Sequence, residues 1–229
     1  MTDTTTTTTD AATEWIAQHP EIAHANATIT TITTDARVLL AQLEQTTPFV
    51  AAANGGREAL TGVHFAVTRD ALTLTAADGF RLVTVEAPYH RDVDGWSEIV
   101  HANDCKRAIV ALKAAIKTVG KSGAVDATLA RNGVVTLTLL GATLDLATIS
   151  GTFPHYLQLI PAQDYNATGN HAAFNGALIG EVLTVAGKHA DDGIVRTMLQ
   201  APSQPARLDW RASTLWTATA VIMPMFVTW

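Results

Sequence analysis

The chain of 229 residues contains one cysteine, Cys105, which excludes an internal disulfide framework and leaves a four-ligand zinc site without thiolates. Charged residues are sparse at 16% against 48% hydrophobic, so the chain is too apolar to stay disordered and can bury one large core or two smaller ones. No apolar run reaches the roughly 18 residues of a membrane helix, and the N-terminus lacks the basic and apolar regions of a secretory signal. The expected setting is a reducing cytoplasm without membrane contact. A formal net charge of −6 excludes adhesion to nucleic acid over the whole surface, so DNA contact requires a local basic stripe. Catalytic signals are missing too: no serine or cysteine has a base beside it, and the eight histidines are scattered. Gly120-Lys121-Ser122 has Ala115 where a phosphate-binding loop needs glycine, and it follows a helix where that loop follows a strand. His189, Asp191 and Asp192 read as a solvated loop after a helix. No enzyme activity, metal or other cofactor is expected.

What is present is a repeat. Residues 1–26 open with a threonine-rich stretch that offers no apolar face and reads as a flexible segment. From Ala27 a short β-type run leads to a helix with Thr34 as its cap and Val38, Leu39 and Leu43 at helical spacing, stopping near Pro48. Strands are predicted over 63–67, 72–75 and 81–87, separated by Arg69-Asp70 and Asp78-Gly79 turns. The order recurs: an extended 98–100, a helix capped by Asn103 or Asp104 and running to about Gly120, then strands over 125–129, 134–140 and 143–149. A third copy begins at Phe174, with a helix over 176–188 and strands over 195–199, 206–210 and 216–223. Three β-α-β-β-β units define an α+β protein. Residues 162–170 have linker composition, so the expected bodies are 27–161 and 171–229. Trp210, Trp216 and Trp229, in the last unit, suit buried packing or a chain-chain contact better than base stacking.

On the second helix Ile109, Leu112, Ile116 and Val119 share one arc. Lys106, Lys113 and Lys117 lie on a neighbouring one, with Arg107 and Lys121 at its ends. Like charges along one face repel by a few tenths of a kcal/mol per pair, which a polyanion relieves. A solvated face whose last lysines complement the helix dipole explains part of the same pattern.

Three segments in order carry a resemblance: Leu60-Thr-Gly-Val-His-Phe-Ala-Val-Thr-Arg-Asp-Ala-Leu-Thr-Leu-Thr-Ala-Ala-Asp-Gly-Phe-Arg-Leu82, Gly151-Thr-Phe-Pro-His-Tyr-Leu-Gln-Leu-Ile-Pro161 and Val221-Ile-Met-Pro-Met225. Together they resemble the bacterial DNA polymerase III β subunit family, the sliding clamps. The resemblance implies the DNA-clamp fold, with helices on the inner face of a ring and antiparallel sheets outside. Residues 27–161 then match a complete middle domain and 171–229 the second half of the last domain, which leaves a first domain and another half without counterparts. Four chains of three helices each would supply a ring of about twelve, a homo-oligomer completed by copies of itself. Small size and lost domains hint at a phage or mobile element.

The resemblance also implies a pocket for short apolar peptides of a DNA polymerase and a clamp loader. Its lining would be Leu60, Ala77, Gly79, Phe80, Arg81, Leu82, Pro154 and Leu159, joined by Ser203, Pro205, Val221, Met223 and Pro224, with Arg81 as a donor fork at the rim. Phe80 replaces the family's usual histidine, Ala77 its threonine and Gln158 a frequent arginine, which changes the pocket's polar contacts. Duplex DNA, held without regard to sequence, would face Lys106, Arg107, Lys113, Lys117 and Lys121, with Arg37 and Lys188 as weaker candidates. The implied role is a replication clamp. The rivals are an adaptor or competitor that binds the same peptides without forming a ring, and co-assembly with a full-length clamp.

Overall fold

The structure is a computed structural model that describes residues 30–53, 57–89, 95–120, 122–160, 172–199, 204–212 and 215–225. The threonine-rich 1–26, the linker 162–170 and Trp229 lie outside them. The first unit comprises β1 (Thr30–Asp35), α1 (Ala36–Thr46), β2 (Gly62–Val67), β3 (Ala71–Ala77) and β4 (Arg81–Pro88). The second comprises β5 (Trp96–His101), α2 (Ala102–Val119), β6 (Asp126–Arg131), β7 (Val135–Leu139), β8 (Ala142–Leu146) and the two-residue β9 (Thr148–Ile149). The third comprises α3 (Gly176–His189), β10 (Arg196–Leu199), β11 (Ala206–Ala212) and β12 (Trp216–Ile222). Where a first strand was expected at Phe174, the described residues hold only an isolated bridge between Ala173 and Met225. The α+β class and the helix-between-strands order are as expected.

Local chemistry moves both expected helix starts. Asp35, not Thr34, caps α1 by accepting the Arg37 backbone N–H at 2.6 Å, because β1 runs through Asp35 and the helix begins only at Ala36. The α2 helix follows β5 directly, and His101 Nδ1 rather than Asn103 or Asp104 accepts the first free N–H, that of Asn103, at 3.2 Å. Asp104 turns inward, pairs with Arg107 and accepts the Ala147 N–H at 3.0 Å. The buried arc of α2 is Cys105, Ala108, Leu112 and Ala115, with Ile109, Ile116 and Val119 at its margin, a rotation from the expected face. Burial pushes the Cys105 thiol up to about 12, so it stays protonated and inert.

The first two units exchange their first strands. β1 pairs with β6 and β5 pairs with β2, so each sheet takes one strand from the other unit. This gives a four-stranded sheet of order β1-β6-β7-β8 and a second of order β5-β2-β3-β4. The third unit extends the second sheet: β12 pairs antiparallel with β4, Arg81 opposite Ile222 and Glu86 opposite Thr217, making eight strands of order β10-β11-β12-β4-β3-β2-β5-β9. One apolar core runs through all three units, with Phe49, Phe65, Leu72, Leu112, Leu129 and Leu208 among its largest buried side chains. Several buried polar groups are paired, while Gln42 Oε1, Thr47 Oγ1, His64 Nδ1 and Trp96 Nε1 have no hydrogen-bond partner among the described residues. Gln42 Nε2 donates to the carbonyls of Leu72 and Val85 at 2.8 and 3.0 Å, and Trp210 Nε1 donates to Gln45 Oε1 at 2.6 Å, fastening the third unit to α1. Trp210 and Trp216 are both buried, in line with packing.

Candidate partner cleft and nucleic-acid face

The β3–β4 hairpin turns on Asp78, whose Oδ1 accepts the N–H groups of Phe80 and Arg81 at 2.9 and 3.0 Å, while Gly79 takes the positive φ of +94° that the turn requires. The turn throws Phe80 outward, 66% exposed, and its carbonyl accepts the Met223 N–H at 3.0 Å, so the chain leaving β12 runs alongside it. A second wall comes from the 151–160 segment. There Phe153 stacks on His64 with centroids 4.9 Å apart, Tyr156 meets Phe153 edge-on at 6.0 Å, and a single helical turn spans Leu157–Leu159. Leu60, Ile99, Ile149 and Phe153 form a small separate core under this wall.

Between the walls lies a cleft of about 140 Å³ lined by Leu60, Ala77, Gly79, Phe80, Arg81, Leu82, Pro154, Leu159, Val221 and Met223, together with Arg57, Phe153 and Tyr156. The first ten were named from the resemblance. Pro205 and Pro224 are half-buried and do not line it, and Ser203 lies outside the described residues. Phe153 and Tyr156 went unnamed although they sit inside the quoted segment; their spacing, three apart on either side of Pro154 and His155, was the available signal. Arg57 gave none. Arg81 is not the free fork that was expected. Its Nε donates to Asp78 at 2.9 Å, its Nη1 pairs with Glu181 of α3, and its guanidinium lies 5.0 Å from the Phe49 ring centroid. The arginine thus sets the wall where the first and third units meet, and the cleft's character is apolar. Burial lowers the His64 pKa, so the ring beneath Phe153 is neutral at pH 7.

The three helices lie together, α1 packed against both α2 and α3. Glu44 of α1 is where they meet. Lys113 of α2 reaches it at 2.7 Å, Lys188 of α3 at 3.2 Å, and the His189 ring stands 3.7 Å away. Burial alone would raise the Glu44 pKa, but the hydrogen bonds and charges of Lys113 and Lys188 outweigh it and hold the carboxyl below its ordinary value. Lys113 of the expected stripe and the weaker candidate Lys188 are therefore tied to an acid, and Arg107 is tied to Asp104. Arg37 donates to the Gly120 carbonyl at 3.0 Å, closing the end of α2 onto the start of α1. Lys106 and Lys117 are exposed and make no ion pair among the described residues; Lys121 lies outside them.

Sheets on one side, helices on the other and units that exchange strands define the DNA-clamp fold. No family model matches the sequence. A β sliding clamp of Synechocystis sp. is 32% identical over 124 residues, a match covering 50% of this chain and 31% of that protein. Among solved structures, the DNA polymerase III β subunit of Thermotoga maritima superposes with a TM-score of 0.72 at 16% identity, covering 87% of this chain and 66% of that one. The β subunit of Pseudomonas aeruginosa gives 0.71 at 16% identity over 86% and 66%. A sliding clamp from the same organism, bound to griselimycin, gives 0.70 at 15% identity over 86% and 65%. The chain resembles the bacterial DNA polymerase III β subunits, and it spans about a third of the matched curated relative and about two thirds of these solved chains.

Proposed function

We propose that this chain acts as a DNA sliding clamp, encircling duplex DNA and tethering polymerase or repair proteins through the cleft between its first and third units. The observation that carries the reading is the cleft itself. Ten residues drawn from three distant sequence segments line one apolar groove with a Gly79 turn at its edge, the shape and chemistry that accept a short peptide with leucine-like anchors. The griselimycin-bound clamp among the structural neighbours supports a ligand-accepting surface in the same fold. Tethering requires no bond chemistry, so the protein works without catalysis and without a cofactor.

In this reading residues 27–161 are a complete clamp domain and 171–229 half of one. The half-domain is apolar and thinly covered: α3 buries only Val182 and Ala186 of its own residues, and β10 is unpaired on one side among the described residues. A second copy of the half-domain supplies the missing face, and four chains then close a ring of six clamp domains. The helices line the hole, with Lys106 and Lys117 as its uncommitted charges. The test is topological. The purified protein is expected to stay on closed circular duplex through a salt wash and to leave after a single cut linearises it. Equal retention on both forms would eliminate the ring.

The alternative, an adaptor that binds clamp-partner peptides without encircling DNA, is favoured by the Glu44 pairings, which tie two helix lysines to an acid of the same chain. It predicts unchanged peptide binding with no dependence on DNA topology.

A further inference from the structure

The β8 strand ends the four-stranded sheet, hydrogen-bonded among the described residues to β7 alone. By the strand exchange its counterpart is β4, each being the last long strand of its unit. β4 is not an edge: β12, the last strand of the third unit, pairs with it antiparallel over six residues, Arg81 to Glu86 against Thr217 to Ile222. Within one chain, then, a last strand is completed by another last strand, and β8 stands as β4 would without the third unit.

The surface beside β8 is unlike an ordinary solvated edge. An open groove of about 740 Å³ separates α2 from β8, and its lining is chiefly apolar: Val110, Ala111, Ala114, Leu139, Leu140 and Leu144. Val110 stands 68% exposed on the helix and Leu140 57% exposed at the hairpin tip. Leu140 and Gly141 form the two-residue turn between β7 and β8 with φ of +49° and +82°, a backbone that suits asparagine followed by glycine. A leucine held there is strained, and while exposed it recovers nothing from burial in its own chain. The strand also lacks the lysines and prolines that usually blunt a free edge. On the helix side the rim carries Lys106 and Arg107, the second already paired with Asp104.

We infer that β8 and its groove receive the same strand and groove of a second copy, the two β8 strands pairing antiparallel as β4 pairs with β12. The inference rests on the four-chain reading and deepens it. The third unit supplies one two-fold contact and β8 a different one, and two isologous contacts in alternation close a four-copy ring without leaving an end. Lys106 and Arg107, which border the groove, would then sit near a junction between copies.

The experiment is native mass of the intact chain and of a double variant, Val110→Glu with Leu140→Asn. Both positions are exposed, and asparagine relieves the left-handed strain, so the fold is expected to persist, checked by an unchanged circular dichroism spectrum and a single cooperative unfolding transition. The expected result is a fourfold mass for the wild type and a twofold mass for the variant. A variant that keeps a fourfold wild-type mass overturns the β8 contact, whether the groove is filled by residues 1–26, by another protein or by nothing, and leaves the four-copy assembly standing. A twofold wild type with a single-copy variant would retain the β8 contact and remove the ring, whereas a monomeric wild type at micromolar concentration removes both.

Discussion

His64 and His189 are kept uncharged by where they sit. Burial lowers the His64 pKa, and His189 is lowered first by burial and then by neighbouring Lys188 and Lys113, with Glu44 opposing. A group that is harder to protonate in the folded chain than in the unfolded one leaves the unfolded state holding more protons at acid pH. The contribution of each ring is therefore complete above the ordinary histidine value of 6.5 and is lost as the pH falls below it. Glu44 adds a second, lower window, because its depressed carboxyl stabilises the fold above 4.5 and ceases to do so as it protonates. Tm measured from neutral pH downward is expected to fall in two steps, and His64→Phe, which preserves a ring against Phe153, is expected to shallow the first. A Tm flat from neutrality to about pH 5 would contradict the burial of both histidines.

At the scale of elements, periodicity identified most strands and all three helices, because alternation and the 3.6-residue repeat are written in single residues. What escaped depended on partners far along the chain. The run 143–149 reads as one strand, yet it divides at Ala147, whose N–H goes to Asp104 and whose carbonyl accepts the His101 N–H at 2.9 Å, so that β8 joins one sheet and β9 the other. The caps moved because each helix starts directly where its strand ends, at Ala36 and Ala102, so the last strand residues Asp35 and His101 are the ones placed to cap. At the cleft, the resemblance named the residues that stand in the quoted segments, but it could not reveal that Glu181 of α3 occupies Arg81 from a hundred residues away. Gly62 is a similar case. A glycine opening a strand looks like a weak choice, but a Cβ there would stand 2.5 Å from the Val100 carbonyl oxygen, 2.8 Å from Ile99 and 2.9 Å from Ile149. The β2–β5 exchange pairing needs that space, and the small core under the cleft is on its far side. Gly62→Ala is expected to destabilise the chain by about 1–3 kcal/mol in denaturant unfolding and to disturb the Leu60 wall of the cleft. An unchanged unfolding midpoint would mean that the two strands can part to admit a methyl group.

For the whole molecule, the proposed clamp role requires an acidic protein with a formal charge of −6 to hold a polyanion. Its helix face offers Lys106, Lys113, Lys117 and Lys188, and Glu44 takes up two of them while also tying α1 to α2 and α3. That carboxylate serves packing at the expense of positive potential, a compromise that the proposed sliding would benefit from, since contacts too strong would arrest it. Glu44→Gln separates the two roles. Each ion pair has an exposed lysine, so their loss should cost about 1 kcal/mol or less of stability. The released ammoniums become available to phosphates, and the net charge rises from −6 to −5 by the loss of one carboxylate. Binding of the variant to duplex DNA is expected to tighten, with the slope of log affinity against log salt steepening by roughly 0.9 for each phosphate newly engaged. Sliding along closed circles should slow in proportion. If instead the variant keeps both the affinity and the salt slope of the wild type while remaining folded, Lys113 and Lys188 do not face nucleic acid, and the helices line something other than a hole for DNA.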